Sequence, residues 1–125
     1  MLQKLYSMPA YHQSSLFKRS QEFVRQNLKD PDLCPDAVAA AHHVSTRHLQ
    51  RVYQHHGYTV AAFIRHERLD AARRDLADPM QSHRPIHAIA TRWGFSHPAV
   101  FTRTFRTVYG LSPREYRTHA SLVAS

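Results

Sequence analysis

The sequence predicts an all-α protein, with about seven helices in two small lobes joined by one long helix. Three observations carry this. Apolar residues recur at three- and four-residue spacing along most of the chain, and the alternation a half-buried strand needs is scarce. The only three glycines, Gly57, Gly94 and Gly110, each fall where a helical run stops or turns. One succession of short run, turn and longer run occurs twice. At 125 residues the chain has the length of a single compact domain.

The first helix is expected over residues 14–28, where Leu16, Phe17, Phe23, Val24 and Leu28 form an amphipathic pattern that Asp30-Pro31-Asp32 breaks. Cys34-Pro35-Asp36 opens a short Ala-rich helix to Ala41, with proline preset for the first turn and aspartate at the positive end. Ser45 is a good N-cap for a helix through about His56, which Gly57 ends. Thr59 caps a long helix over 60–77, and Pro79 follows its stop. Pro85 opens a short helix from Ile86 to Trp93, and Gly94 makes the turn. Ser96 or His97 caps a helix to Tyr109, ended by Gly110, and Ser112-Pro113 starts a last helix to about Ala120. Residues 1–12 and the last few are expected to fray.

The repeat aligns residue by residue. Ala39 matches Ala90 and Val44 matches Phe95. With one residue more in the second copy, Leu49 matches Phe101 and Tyr53 matches Phe105. After a further extra residue Gly57 matches Gly110 and Phe63 matches Tyr116. In each copy a small alanine lets a second helix cross closely, and a capped helix turns a polar face away from that crossing. This is a helix-turn-helix, present twice.

Charge points to a polyanion. Lys and Arg total 17 against 9 Asp and Glu, a net +8. No carboxylate lies in 37–66, which holds Arg47, Arg51 and Arg65. None lies in 79–114, which holds Arg84, Arg92, Arg103, Arg106 and Arg114. Arginine outnumbers lysine 14 to 3, which suits bidentate recognition of phosphate and guanine. Nucleic acid is the first partner class and a membrane surface the second. No apolar run reaches the ~18 residues of a membrane span, and the amino terminus lacks a signal-peptide stretch, so a soluble cytoplasmic protein is the expectation.

The motifs Pro85-Ile86-x-x-Ile89-Ala90, Gly94-Phe95, Phe101-x-Arg103-x-Phe105 and Gly110-Leu111-Ser112-Pro113-Arg114-Glu115-Tyr116-Arg117 resemble the DNA-binding domain of AraC/XylS-type bacterial transcriptional regulators. Arg68-Leu69 and Ala72 also stand where that family carries Arg-Leu and Ala. The resemblance runs from about Phe17 to Arg117. It implies two helix-turn-helix lobes, about 14–58 and 85–120, on a linker helix of about 60–77, all within one DNA-binding domain, 1–125. Their recognition helices would enter successive major grooves on one DNA face. It further implies regulation of transcription, more often activation, with promoter DNA and RNA polymerase as partners and nucleoid association when bound. The chain is expected to be monomeric, and dimeric if it is the carboxy-terminal part of a longer regulator. Cys34, His43, the shortened Tyr53–Gly57 segment and His97-Pro98 depart from the family pattern.

Counting from Ser45, the family's base-reading offsets fall on Arg47, Gln50 and Arg51; from His97 they fall on Ala99, Thr102 and Arg103. Arginine can pair with guanine and glutamine with adenine, while Ala99 can only touch a thymine methyl. Ser45, Thr46, Arg106, Ser112 and Arg114 are the candidates for phosphate. Arg68 is expected to pair with a carboxylate, and Trp93 to pack.

Other classes find less support. Eleven histidines invite a metal reading, but one cysteine rules out a multi-cysteine site, Pro85 separates His83 from His87, and His66-Glu67 lacks its second histidine because Asp70 stands there. No cofactor is expected. No Ser-His-Asp order, paired catalytic carboxylates or phosphate-binding glycine loop suggests an enzyme. The alternative function is nonspecific, nucleoid-type binding through the same basic surfaces.

Overall fold

In the computed structural model residues 15–124 are described, so the fraying expected of residues 1–12 lies outside them, while of the last few residues only Ser125 does and the others continue the last helix. The described elements are helical: α1 (15–26), α2 (Pro35–Ala41), α3 (Thr46–Gln54), α4 (Val60–Ala77), α5 (Ile86–Arg92), α6 (Pro98–Tyr109) and α7 (Pro113–Ala124). A 3-10 turn, Pro79–Gln81, follows α4 and was not anticipated; Asp78 caps it by accepting from the Met80 N–H at 3.0 Å.

Several helix ends differ from expectation. The first helix stops at residue 26, where the Asn27 side chain donates to the Phe23 carbonyl at 2.7 Å and begins a turn. Helix α3 stops at Gln54, short of His56, as the His56 N–H bonds to the Tyr53 carbonyl in a tighter turn. Helix α7 runs past Ala120 to Ala124, since Ser121, Leu122 and Val123 contain no breaker.

Two compact units divide between Arg65 and His66, inside α4. In the first unit α2 packs on α3. Val38, Ala39, Leu49, Val52 and Tyr53 are buried, together with Val24 of α1 and Val60, Phe63 and Ile64 from the start of α4. Ser20 is the buried polar residue of this core. Its hydroxyl donates to the Phe17 carbonyl at 2.9 Å, so its lone pair accepts the Tyr53 hydroxyl at 2.8 Å. Burial raises the Tyr53 pKa, and the Ser20 bond offsets part of that rise.

In the second unit Leu69, Ala72, Leu76, Ile89, Ala90, Phe101 and Phe105 form the core, and Trp93, Phe95, Tyr109 and Tyr116 pack against it. Trp93 therefore packs as expected, and its indole N–H also donates to Asp75 at 2.8 Å. Asp70 accepts from Arg73 Nε at 2.8 Å, while Arg73 Nη1 donates to the Tyr116 hydroxyl at 2.9 Å. These bonds raise the Arg73 pKa, the Tyr116 contribution first.

The repeat is exact in its turns. The Val44 N–H reaches the Ala39 carbonyl at 3.1 Å, and the Phe95 N–H reaches the Ala90 carbonyl at 2.9 Å. The preceding residue is left-handed in both copies: Gly94 at φ +90°, and in the first copy His43 at φ +56°. Glycine adopts that conformation without penalty, whereas a histidine carries a steric cost there.

Candidate nucleic-acid interface

Each unit holds its outer helix by a buried stripe. Leu49, Val52 and Tyr53 fix α3, and Phe101 and Phe105 fix α6. The opposite faces are therefore solvent-exposed. Arg47 and Arg51 stand exposed on α3, and Ala99, Thr102 and Arg103 on α6. Ser45 caps α3 by accepting from the His48 N–H at 3.0 Å. His97 rather than Ser96 is the N-cap of α6, and it makes no side-chain cap bond; Pro98 occupies the first turn.

Three side chains have partners that the sequence offsets did not reveal. The Thr46 hydroxyl donates to Asp36 at 2.7 Å, which commits its proton and sets a carboxylate beside it. The Gln50 carbonyl oxygen accepts from the Val60 N–H at 3.3 Å, so this residue caps α4 alongside Thr59, whose hydroxyl accepts from the Ala62 N–H at 3.0 Å. Ser112 belongs to a reciprocal capping box. Its hydroxyl accepts from the Glu115 N–H at 3.1 Å, and Glu115 accepts from the Ser112 N–H at 2.9 Å. A phosphate at Ser112 would meet an N–H already engaged and a carboxylate next to it. The Ser-x-x-Glu spacing was the available signal for this box. Nothing in the spacing of Gln50 and Val60 announced their contact, because the turn between α3 and α4 creates it.

Arg106 Nη2 lies 3.4 Å from Glu115, both side chains being more than half exposed. Such a pair is weak and leaves the guanidinium accessible. Arg114 is exposed. Hydrogen bonds from Ser112, its backbone N–H first, together with Arg106 hold the Glu115 carboxyl below its ordinary range. Arg68 lies against Gly94, its Cζ 3.0 Å from where a β-carbon would stand. Among the described residues no group of three or more His, Cys, Asp or Glu is placed to hold a metal ion, and no helix is long and apolar enough to cross a membrane.

Two outer helices, each behind a tight turn and each presenting arginines, define a double helix-turn-helix of the nucleic-acid-binding class. Residues 38–119 match the family pattern described as a helix-turn-helix domain. A transcriptional regulator from Chromobacterium violaceum, described as AraC-type and DNA-binding, superposes with a TM-score of 0.78 at 26% identity, over 86% of this chain and 93% of that one. The transcriptional activator NphR of Rhodococcus is 32% identical over 114 residues, 91% of this chain and 33% of NphR. The XylDLEGF operon transcriptional activator of Pseudomonas putida is 31% identical over 100 residues, 79% of this chain and 31% of that protein. The chain belongs to the AraC-type family of helix-turn-helix domains. It spans about a third of the length of these two curated relatives.

Proposed function

We propose that this domain binds double-stranded promoter DNA sequence-specifically and regulates transcription, more often as an activator, without catalytic activity of its own. The observation that carries the reading is the pair of outer helices whose exposed faces hold Arg47, Arg51 and Arg103, none of which pairs with a carboxylate among the described residues. Arg47, Arg51 and Arg103 read bases, with Thr102 and Ala99 beside Arg103. Arg106 and Arg114 hold phosphate, and Ser45 offers the amino end of α3. Gln50, Thr46 and Ser112 serve first as structural contacts. The two lobes take adjacent major grooves, RNA polymerase is the protein partner, and the domain acts as a monomer in the cytoplasm.

Selection of bound duplexes from a random pool, followed by competition at fixed salt, tests this. Readout predicts a preference of about 10³-fold or more for the selected site over scrambled DNA. Equal binding of all duplexes would instead establish the nonspecific, nucleoid-type reading.

A further inference from the structure

The two outer helices present different chemistry. The exposed face of α3 carries the long donors Arg47 and Arg51. On α6 an open depression is lined by Pro98, Ala99, Thr102, Arg103, Arg106 and Thr107. Its hydrogen-bonding capacity is low for a base-reading surface. The Thr107 hydroxyl is turned back onto the Arg103 carbonyl at 2.9 Å, and Arg106 reaches toward Glu115. That leaves Arg103 as the one long donor of the depression with no side-chain partner among the described residues. Around it stand the ring of Pro98 and the methyls of Ala99 and Thr102.

Thymine is the base that offers a methyl group in the major groove, and apolar contact is how that methyl is recognised. The acid-free window 79–114 supplies the charge that brings DNA to this face. We propose that α6 reads thymine C5-methyl groups through Ala99 and the Thr102 methyl, flanking a guanine taken by Arg103, so that the second half-site is recognised mainly by apolar contact. This rests on the DNA-reading role above and specifies its ligand in one half of the site.

Replacing thymine by uracil removes only the methyl, so the experiment is a uracil scan of the selected duplex, read by fluorescence anisotropy at fixed salt. One or two thymines should each lose about fourfold in affinity on conversion to uracil, the effect of withdrawing one buried methyl-sized group. Thr102→Ser, which keeps the hydroxyl and deletes the methyl, should abolish the uracil penalty at one of them. Thr102→Val, which keeps the methyl, should preserve it. Ala99→Gly should abolish the penalty at the neighbouring thymine. The inference is overturned if uracil is tolerated at every position, or if the penalties persist unchanged in both Thr102→Ser and Ala99→Gly. It also falls if Thr102→Val loses sequence preference that Thr102→Ser retains, because the hydroxyl would then be the reader. A pool that yields no preferred duplex would overturn the DNA-reading role itself, an outcome distinct from tolerance of uracil in a selected site.

Discussion

Arg51 and Arg106 are both exposed arginines on outer helices, but their neighbours differ. Arg51 pairs with no carboxylate among the described residues, whereas Arg106 faces Glu115 across 3.4 Å. Arg51→Ala should relax preference at one or two base pairs of the selected site, by about 1–3 kcal/mol for a bidentate contact. Arg106→Ala should weaken all duplexes alike, because phosphate contacts carry no sequence information. Affinities for single-base variants of the site measure both; equal loss on cognate and scrambled DNA in Arg51→Ala would make Arg51 a phosphate clamp. Gln50 separates its two assignments in the same assay. As a cap, Gln50→Leu should destabilise the first unit by about 1 kcal/mol, while Gln50→Glu keeps the acceptor and leaves base preference unchanged. As an adenine reader, Gln50→Glu would shift that preference. His43, held at φ +56°, gives a third expectation: His43→Gly should raise first-unit stability by about 0.5–1 kcal/mol in denaturant unfolding, since left-handed backbone disfavours a β-carbon. This position was legible in the sequence, since His43 departs from the family pattern and aligns with Gly94 of the second copy. The partners of Thr46 and Gln50 were not legible, since each lies ten residues away across a turn.

At the scale of the element, caps were easier to read than lengths. Ser45 and Thr59 act where the polar-before-apolar pattern put them, because a cap needs only its own side chain and the N–H two or three residues on. Helix ends lacked such a residue: α3 stopped early at a turn hydrogen bond, and α7 ran on because no breaker follows Ala120. Core positions were legible through the repeat, and Leu49, Phe101, Tyr53 and Phe105 are all buried at matching places. The repeat concealed one difference. Tyr116 stands where the first copy has Phe63, and its hydroxyl bonds Arg73. For α7 the capping box sets the expectation. Ser112→Ala should cost about 1 kcal/mol and fray its first turn. Glu115 has a lowered folded pKa, so its contribution is present above the ordinary carboxylate value and is lost as pH falls through the lowered one. Amide protection at Ser112, Glu115 and Tyr116, measured against the intrinsic exchange rate at each pH, should therefore fall on acidification. That pH dependence of protection should vanish in Glu115→Gln.

For the whole molecule, the charge pattern governs affinity where individual side chains govern choice. The two acid-free windows place Arg47 and Arg51 on one outer helix, Arg103 and Arg106 on the other, and Arg114 on α7. Docking of both lobes should neutralise about five to eight phosphates, giving a slope of log affinity against log salt of about −4 to −7. Docking of one lobe engages roughly half of these cations, and the slope should then fall toward about −3. The slope therefore reports how many lobes engage, independently of base preference. A footprint of about two helical turns should accompany the steep slope, as expected for two recognition helices in successive grooves. Neutralising the second lobe with Arg103→Ala and Arg106→Ala together should then flatten the slope by about 2 and shorten protection to one half-site. A wild-type slope shallower than about −2 would mean that the basic windows face away from DNA. A steep slope with protection confined to a half-turn would place the cations on one lobe's contacts alone.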